Sequence, residues 1–218
     1  MKRIIYHGSE KIIEKPLYGY GNIHNDYGLG FYCAFSKELG KEWAARKTGY
    51  GYINEYVIDD SNLKILDLTK PPYNDVLYWV SLLMNNRDIS TVLKQNYSRE
   101  LKYLLDKYLI DITKYDIIIG FRADDSYFRF PEAFVRSEIT LETLNILFKE
   151  GNLGKQYVLI SERAFNSLVF SSCLPVESGY KVKYFKRKSG ADKTFAELLI
   201  QDRYSKGIRL RDLVLDYE

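Results

Sequence analysis

Little in this chain suits it to disulfides, metals or membranes. Its two cysteines, Cys33 and Cys173, are too few for a disulfide framework or a cysteine-rich zinc site, and they fit a reducing, cytoplasmic setting. Both read as small core hydrophobes, the usual fate of free cysteine. The two histidines, His7 and His24, leave a histidine-based metal centre without enough ligands, so no metal is expected. No apolar run approaches the roughly 18 residues of a membrane span, and no membrane partner is expected. The start, Met1-Lys2-Arg3-Ile4-Ile5-Tyr6, has neither an apolar h-region nor a small-residue cleavage site, which argues against a signal peptide. The net charge of +3 is too weak to imply nucleic-acid binding by itself.

What remains is an ordinary globular composition with 46% hydrophobic and 28% charged residues, enough for one domain over 1–218 with a sizeable core. Ile4-Ile5-Tyr6 reads as a first strand. Lys15 to Tyr27 is rich in turn formers and reads as loop. Ser36 can cap a helix running to about Lys47, with Leu39, Trp43 and Ala44 on one face. Strands are expected over Tyr52–Ile58, around Leu63–Leu68, over Tyr115–Phe121 and over Gln156–Ile160. Helices are expected over Val76–Asn85 and Ser98–Tyr108, after Thr140 until Gly151, after Ser161 through Val169, and over Asp192–Tyr204. The mixture lacks regular βαβ alternation, which indicates α+β.

The segment Tyr180 to Lys188 interleaves Lys181, Lys183, Lys186, Arg187 and Lys188 with Tyr180, Tyr184 and Phe185. Its alternation predicts a strand. Such a strand would either track a phosphate backbone and stack bases or be an edge strand with a solvated lysine face.

Two short motifs carry chemistry. One is Tyr6-His7-Gly8-Ser9 at the end of the first strand. The other is Tyr27-Gly28-Leu29-Gly30-Phe31-Tyr32-Cys33-Ala34. The second is not a dinucleotide fingerprint. Cys33 stands where G-x-G-x-x-G needs its third glycine, a loop rather than a strand precedes it, and there is no phosphate-loop lysine. The alternative is a turn freed by Gly28 and Gly30, after which Phe31 and Tyr32 point to opposite sides of an extended segment.

Together these motifs resemble the two-part NAD signature of diphtheria-toxin-like and poly(ADP-ribose)-polymerase-like ADP-ribosyltransferases. The order of His7-Gly8-Ser9, the Gly28-x-Gly30 segment, Ser36, Trp43-Ala44, the strand ending at Gly120 and Ala123-Asp124-Asp125 is also similar to a bacterial family of unknown function related to such toxins. The resemblance implies a split two-sheet fold with an NAD cleft. It implies that His7 bonds the nicotinamide ribose, which suits an imidazole with one donor and one acceptor. It implies that Gly8 grips the carboxamide, with Ser9 adding a hydroxyl, and that Tyr32 stacks on nicotinamide. Trp43 is either core or a second wall of that stack. Arg122 is a candidate clamp for the pyrophosphate.

The third catalytic residue departs from the family pattern, which puts a glutamate at the start of a late strand. Gln156 holds that place by chain order, while Glu55 offers the residue type on an earlier strand. Glutamine can bond a ribose hydroxyl but cannot act as a general base. Asp124, Asp125 and Glu162 are candidate substitute bases, Asp125 foremost. The Asp-Asp-Ser run also fits a turn and helix cap.

The expected activity is mono-ADP-ribosyl transfer from NAD, as co-substrate, to a macromolecular acceptor, nucleic acid ahead of protein. The expected context is the toxin half of a toxin–antitoxin or phage-defence module with a small antitoxin partner. The alternatives are a catalytically inactive NAD-binding or protein-interaction module, and an NAD glycohydrolase.

Overall fold

The computed structural model describes residues 1–123, 127–150, 154–215 and 217. The chain enters as strand β1 (Lys2–Ser9) and returns after a long loop as β2 (Phe31–Ala34). Helix α1 (Lys37–Ala45) follows, capped as expected by Ser36, whose side chain accepts from the Leu39 N–H. Next come β3 (Gly51–Asp59) and β4 (Ile65–Asp67), then helices α2 (Val76–Asn86), α3 (Thr91–Asn96) and α4 (Ser98–Tyr108). The second half runs β5 (Ile117–Phe121), α5 (Arg129–Val135), α6 (Leu141–Glu150), β6 (Lys155–Leu159), α7 (Glu162–Asn166), β7 (Leu168–Val176), α8 (Gly179–Asp202) and α9 (Leu210–Leu215).

The α+β class holds, but the expectation of two separate sheets is corrected. Among the described residues the seven strands form one sheet in the order β4-β5-β6-β2-β1-β3-β7. Its weak joint lies between β1 and β2, where Tyr6 opposite Ala34 is the sole register pair. On one side of that joint, β1 pairs with β3 along its whole length, and on the other β2 pairs with β6 along its whole length. Two well-zipped halves therefore meet at a point, and the strands part beyond it.

The central strands are buried on both faces, hence their continuous apolar runs. In β5 and β6, Ile117, Ile119, Tyr157 and Leu159 join Ile5, Phe31 and Cys33 on one face. Ile118 and Val158 face the other, larger core, built with Leu77, Val80, Leu104, Phe134 and Leu147. Helix α2 is apolar on nearly every face because all of Val76 to Met84 except Tyr78 is buried, and its one buried hydroxyl, Ser81, donates to the Leu104 carbonyl.

Two further expectations are corrected. Tyr180 to Phe185 is not a strand but the first turns of α8, which continues to Asp202. Read at helical spacing, Tyr180, Tyr184 and Arg187 share a face. Tyr180 bonds Glu38, and Arg187 pairs with Glu42 at 2.9 Å, both partners on α1. The segment's apparent period of two was a helix face of packing residues beside a solvated lysine face. Leu168 and Val169 belong to β7 rather than to the short helix capped by Ser161. Gly151, expected to end α6, lies outside the described residues, as do Asp124 and Asp125.

Candidate functional site

A cleft of about 690 Å³ opens where β1 and β2 part, within the usual size of small-molecule sites. Strand β1 contributes Tyr6, His7 and Gly8, strand β2 contributes Phe31, Tyr32 and Ala34, and β6 contributes Gln156. Trp43 of α1 and Arg46 at its C-terminal cap line it, as do Arg87 after α2 and Arg122 after β5. The loop before β2 closes one wall. Buried Asn54 anchors its start, accepting from the Ile13 N–H at 2.9 Å. Its end is held by the Asn86 side chain, which donates to the Asp26 carbonyl at 3.2 Å.

His7 sits at the parting of the strands. Its Nδ1 lies 2.7 Å from the Tyr32 carbonyl oxygen, which can only accept, so Nδ1 carries the proton. Burial lowers the imidazole's pKa, and the ring is neutral at pH 7. Nε2 is then a hydrogen-bond acceptor on a cleft-lining residue. Phe31 stacks on the ring at 4.4 Å and fixes its plane.

Tyr32 is held at both ends. Its hydroxyl donates to the Gly28 carbonyl at 2.7 Å and accepts from the Tyr27 N–H at 3.0 Å. Burial raises its pKa far above the ordinary tyrosine range, so the proton needed for the first bond is always present. Gly28 has φ of 72°, the left-handed turn that this clamp closes on, and it serves the turn rather than the cleft wall. Gly30 lines the cleft, yet its missing Cβ would fall 2.8 Å from Val158. Gly8 is needed for another close approach, since a Cβ there would meet the Gly40 carbonyl of α1 at 2.0 Å. Ser9 is occupied in the fold: its hydroxyl bonds the Lys11 carbonyl and accepts from Asn54 at 3.1 Å.

Trp43 faces the cleft. The guanidinium groups of Arg46 and Arg122 stack on its ring at 3.7 and 4.9 Å from the centroid. With Arg87, three arginines border the cavity, a donor set suited to a pyrophosphate. Gln156 and Glu55, the alternatives expected for a third catalytic residue, lie in different places. Gln156 is 5% exposed and lines the cleft. Glu55 lies outside it, paired with Lys37 of α1 at 3.3 Å. Glu162 is exposed in the first turn of α7 and does not line the cleft.

Asp26 joins the cleft from outside both motifs. This carboxylate is 5% exposed in the cleft wall. Its Oδ2 accepts from Gln156 Nε2 and from the Ala123 N–H, each at 2.8 Å, and Oδ1 lies 3.3 Å from Arg87. Burial outweighs these partners and pushes its pKa up to about 6. The only sequence signal was Asn25-Asp26 inside a run of turn formers. Among the described residues, no group of three or more His, Cys, Asp or Glu side chains could hold a metal ion. No helix among them is long and apolar enough to cross a membrane.

The arrangement offers an acceptor nitrogen, a fixed aromatic ring, a cationic rim and a buried carboxylate–amide pair around one cavity. Residues 3–170 match the family described as a protein of unknown function, DUF3990. The chain belongs to this family. The matched span carries every cleft residue described above. No curated protein and no solved structure matches the chain.

Proposed function

We propose that this DUF3990 protein binds NAD⁺ in the cleft between β1 and β2 and transfers its ADP-ribosyl group to a macromolecular acceptor. The observation that carries this reading is the convergence of His7, Tyr32 and Gln156, far apart in sequence, on one cavity with three arginines at its border. His7 Nε2 accepts from a hydroxyl of the nicotinamide ribose. The Tyr32 ring, clamped through its hydroxyl, gives the nicotinamide a flat face. Arg46, Arg87 and Arg122 meet the pyrophosphate charge. NAD⁺ supplies a good leaving group, and the residues at the ribosyl carbon need chiefly to stabilise developing positive charge. Gln156 supplies a carbonyl oxygen for this, and the Asp26 carboxylate lies directly behind it.

A strand over 180–185 with interleaved basic and aromatic residues would favour nucleic acid as the acceptor. That segment is helical and packs on α1, so the acceptor is left as a macromolecule. A role as the toxin of a toxin–antitoxin or defence module follows from the family resemblance of the motifs alone.

The test is incubation of a cell lysate with labelled NAD⁺ and the purified protein, followed by protease or nuclease digestion. Label moving into protein or nucleic acid supports transfer and names the acceptor class. Free ADP-ribose alone would make the protein a glycohydrolase, and intact NAD⁺ would make it a binding module.

A further inference from the structure

Gln156 presents a chemical puzzle on the reading just given. A primary amide can show a ligand either its oxygen or its NH₂ group, and these have opposite effects on a developing cation. The structure resolves which end is engaged. Nε2 donates to Asp26 Oδ2 at 2.8 Å, and the same oxygen accepts from the Ala123 N–H at 2.8 Å. An ionised carboxylate oxygen can only accept, so the NH₂ group must point at it. Strand β6 holds the Gln156 backbone between Ala34 of β2 and Gly120 of β5, so the side chain has a fixed root.

We infer that Asp26 is a positioning residue that turns the Gln156 amide so that its carbonyl oxygen, rather than its NH₂ group, is presented to the ligand. The amide oxygen then takes the place of a carboxylate oxygen, and the Asp26 charge behind the amide polarises it further. This inference rests on the ADP-ribosyl-transfer reading for its consequence but not for its geometry. Arg87 and Arg122 supply the facing positive charges, and the Tyr27 and Tyr32 hydroxyls lie nearby in protonated form. When Asp26 takes up a proton, Oδ2 can still accept from both N–H groups but loses its charge, so its hold on the amide and its polarisation of it weaken.

Two readouts test the inference on the full chain. The first is the side-chain amide resonance of Gln156 in ¹H–¹⁵N spectra, assigned by its loss in Gln156→Glu. It should shift with a midpoint near the Asp26 pKa of about 6 in the wild type. It should not titrate in Asp26→Asn, and a step that persists there belongs to His7 and counts against the inference. The second readout is nicotinamide release from NAD⁺. Asp26→Asn should lower kcat about tenfold or more while KM moves less than about threefold, the signature of an interaction used in the transition state. Gln156→Glu alone sets two carboxylates against each other and should also be impaired. In Asp26→Asn/Gln156→Glu the repulsion between carboxylates is gone and a carboxylate has no NH₂ end to be turned away, so Asp26 is no longer needed and most of kcat should return. A double variant no better than Asp26→Asn would overturn the inference, as would an amide resonance indifferent to Asp26. Should the wild type release no nicotinamide, the function reading fails and the amide titration alone decides the orientation.

Discussion

Replacing Asp26 with asparagine should make the protein more stable at neutral pH while damaging the site. Burial raises the Asp26 pKa from 3.8 to about 6 despite hydrogen bonds from Ala123 and Gln156 and the charge of Arg87. The folded state therefore holds its proton more tightly than the unfolded chain. Between those two values the native protein binds more protons, so this group's contribution falls as pH rises and is flat above about pH 7. The displacement corresponds to about 3 kcal/mol at neutral pH. Asparagine carries no charge to desolvate and is nearly isosteric. Other carboxylates, such as Asp60 and Asp116, are held below their usual range and gain stability with rising pH, but they are the same in both proteins and cancel in the difference. The stability of Asp26→Asn minus that of wild type should thus grow by about 2.5 kcal/mol between pH 4 and pH 7.5. Urea unfolding at a series of pH values measures it. A difference independent of pH would show that burial does not outweigh the partners of Asp26, and the reasoning about its raised pKa would fall.

His7→Ala removes the Nε2 acceptor and should weaken NAD⁺ binding by about 1–3 kcal/mol, read by calorimetric titration. Tyr32→Phe keeps the ring but strands the Gly28 carbonyl and Tyr27 N–H; it should cost about 1–3 kcal/mol of stability in a melting experiment while retaining NAD⁺ binding. Tyr32→Ala should lose both. Buried Asp202 at the end of α8 accepts from Thr140 and pairs with Arg209 at 3.2 Å, so Asp202→Ala should destabilise by about 3–5 kcal/mol. That loss, measured by denaturant unfolding, would show that the segment beyond residue 170 is part of the folded unit.

How much of this was legible in the sequence depended on how local each signal was. His7 and Tyr32 sit in short motifs whose neighbours do the positioning, and that both line one cleft was readable from those motifs. Gln156 was readable by its place in the strand order, and Glu55 was separated from it only when α1 supplied Lys37 as its partner. Asp26 was not readable. Its partner Gln156 is 130 positions away, and Arg87 is 61 away. The helix over 180–185 was masked by lysines whose alternation imitates a strand, until Glu38 and Glu42 of α1 gave Tyr180 and Arg187 a common face. Strand β7 was missed because it is an edge strand carrying Pro175 and several exposed residues, with little of the alternating burial that marks a strand. The single sheet was beyond sequence reasoning because the joint at Tyr6 and Ala34 is one pair wide.

The central claim is that the parting of β1 and β2 is an NAD⁺ site. Its most direct test is to incubate purified protein with NAD⁺ and follow nicotinamide release by mass spectrometry, alongside His7→Ala and Tyr32→Ala variants shown to be folded. If the parting of β1 and β2 binds NAD⁺ in this way, the wild type releases nicotinamide and both variants lose at least about tenfold of that rate. Wild-type release that survives both substitutions, or no release and no measurable NAD⁺ binding, would contradict it.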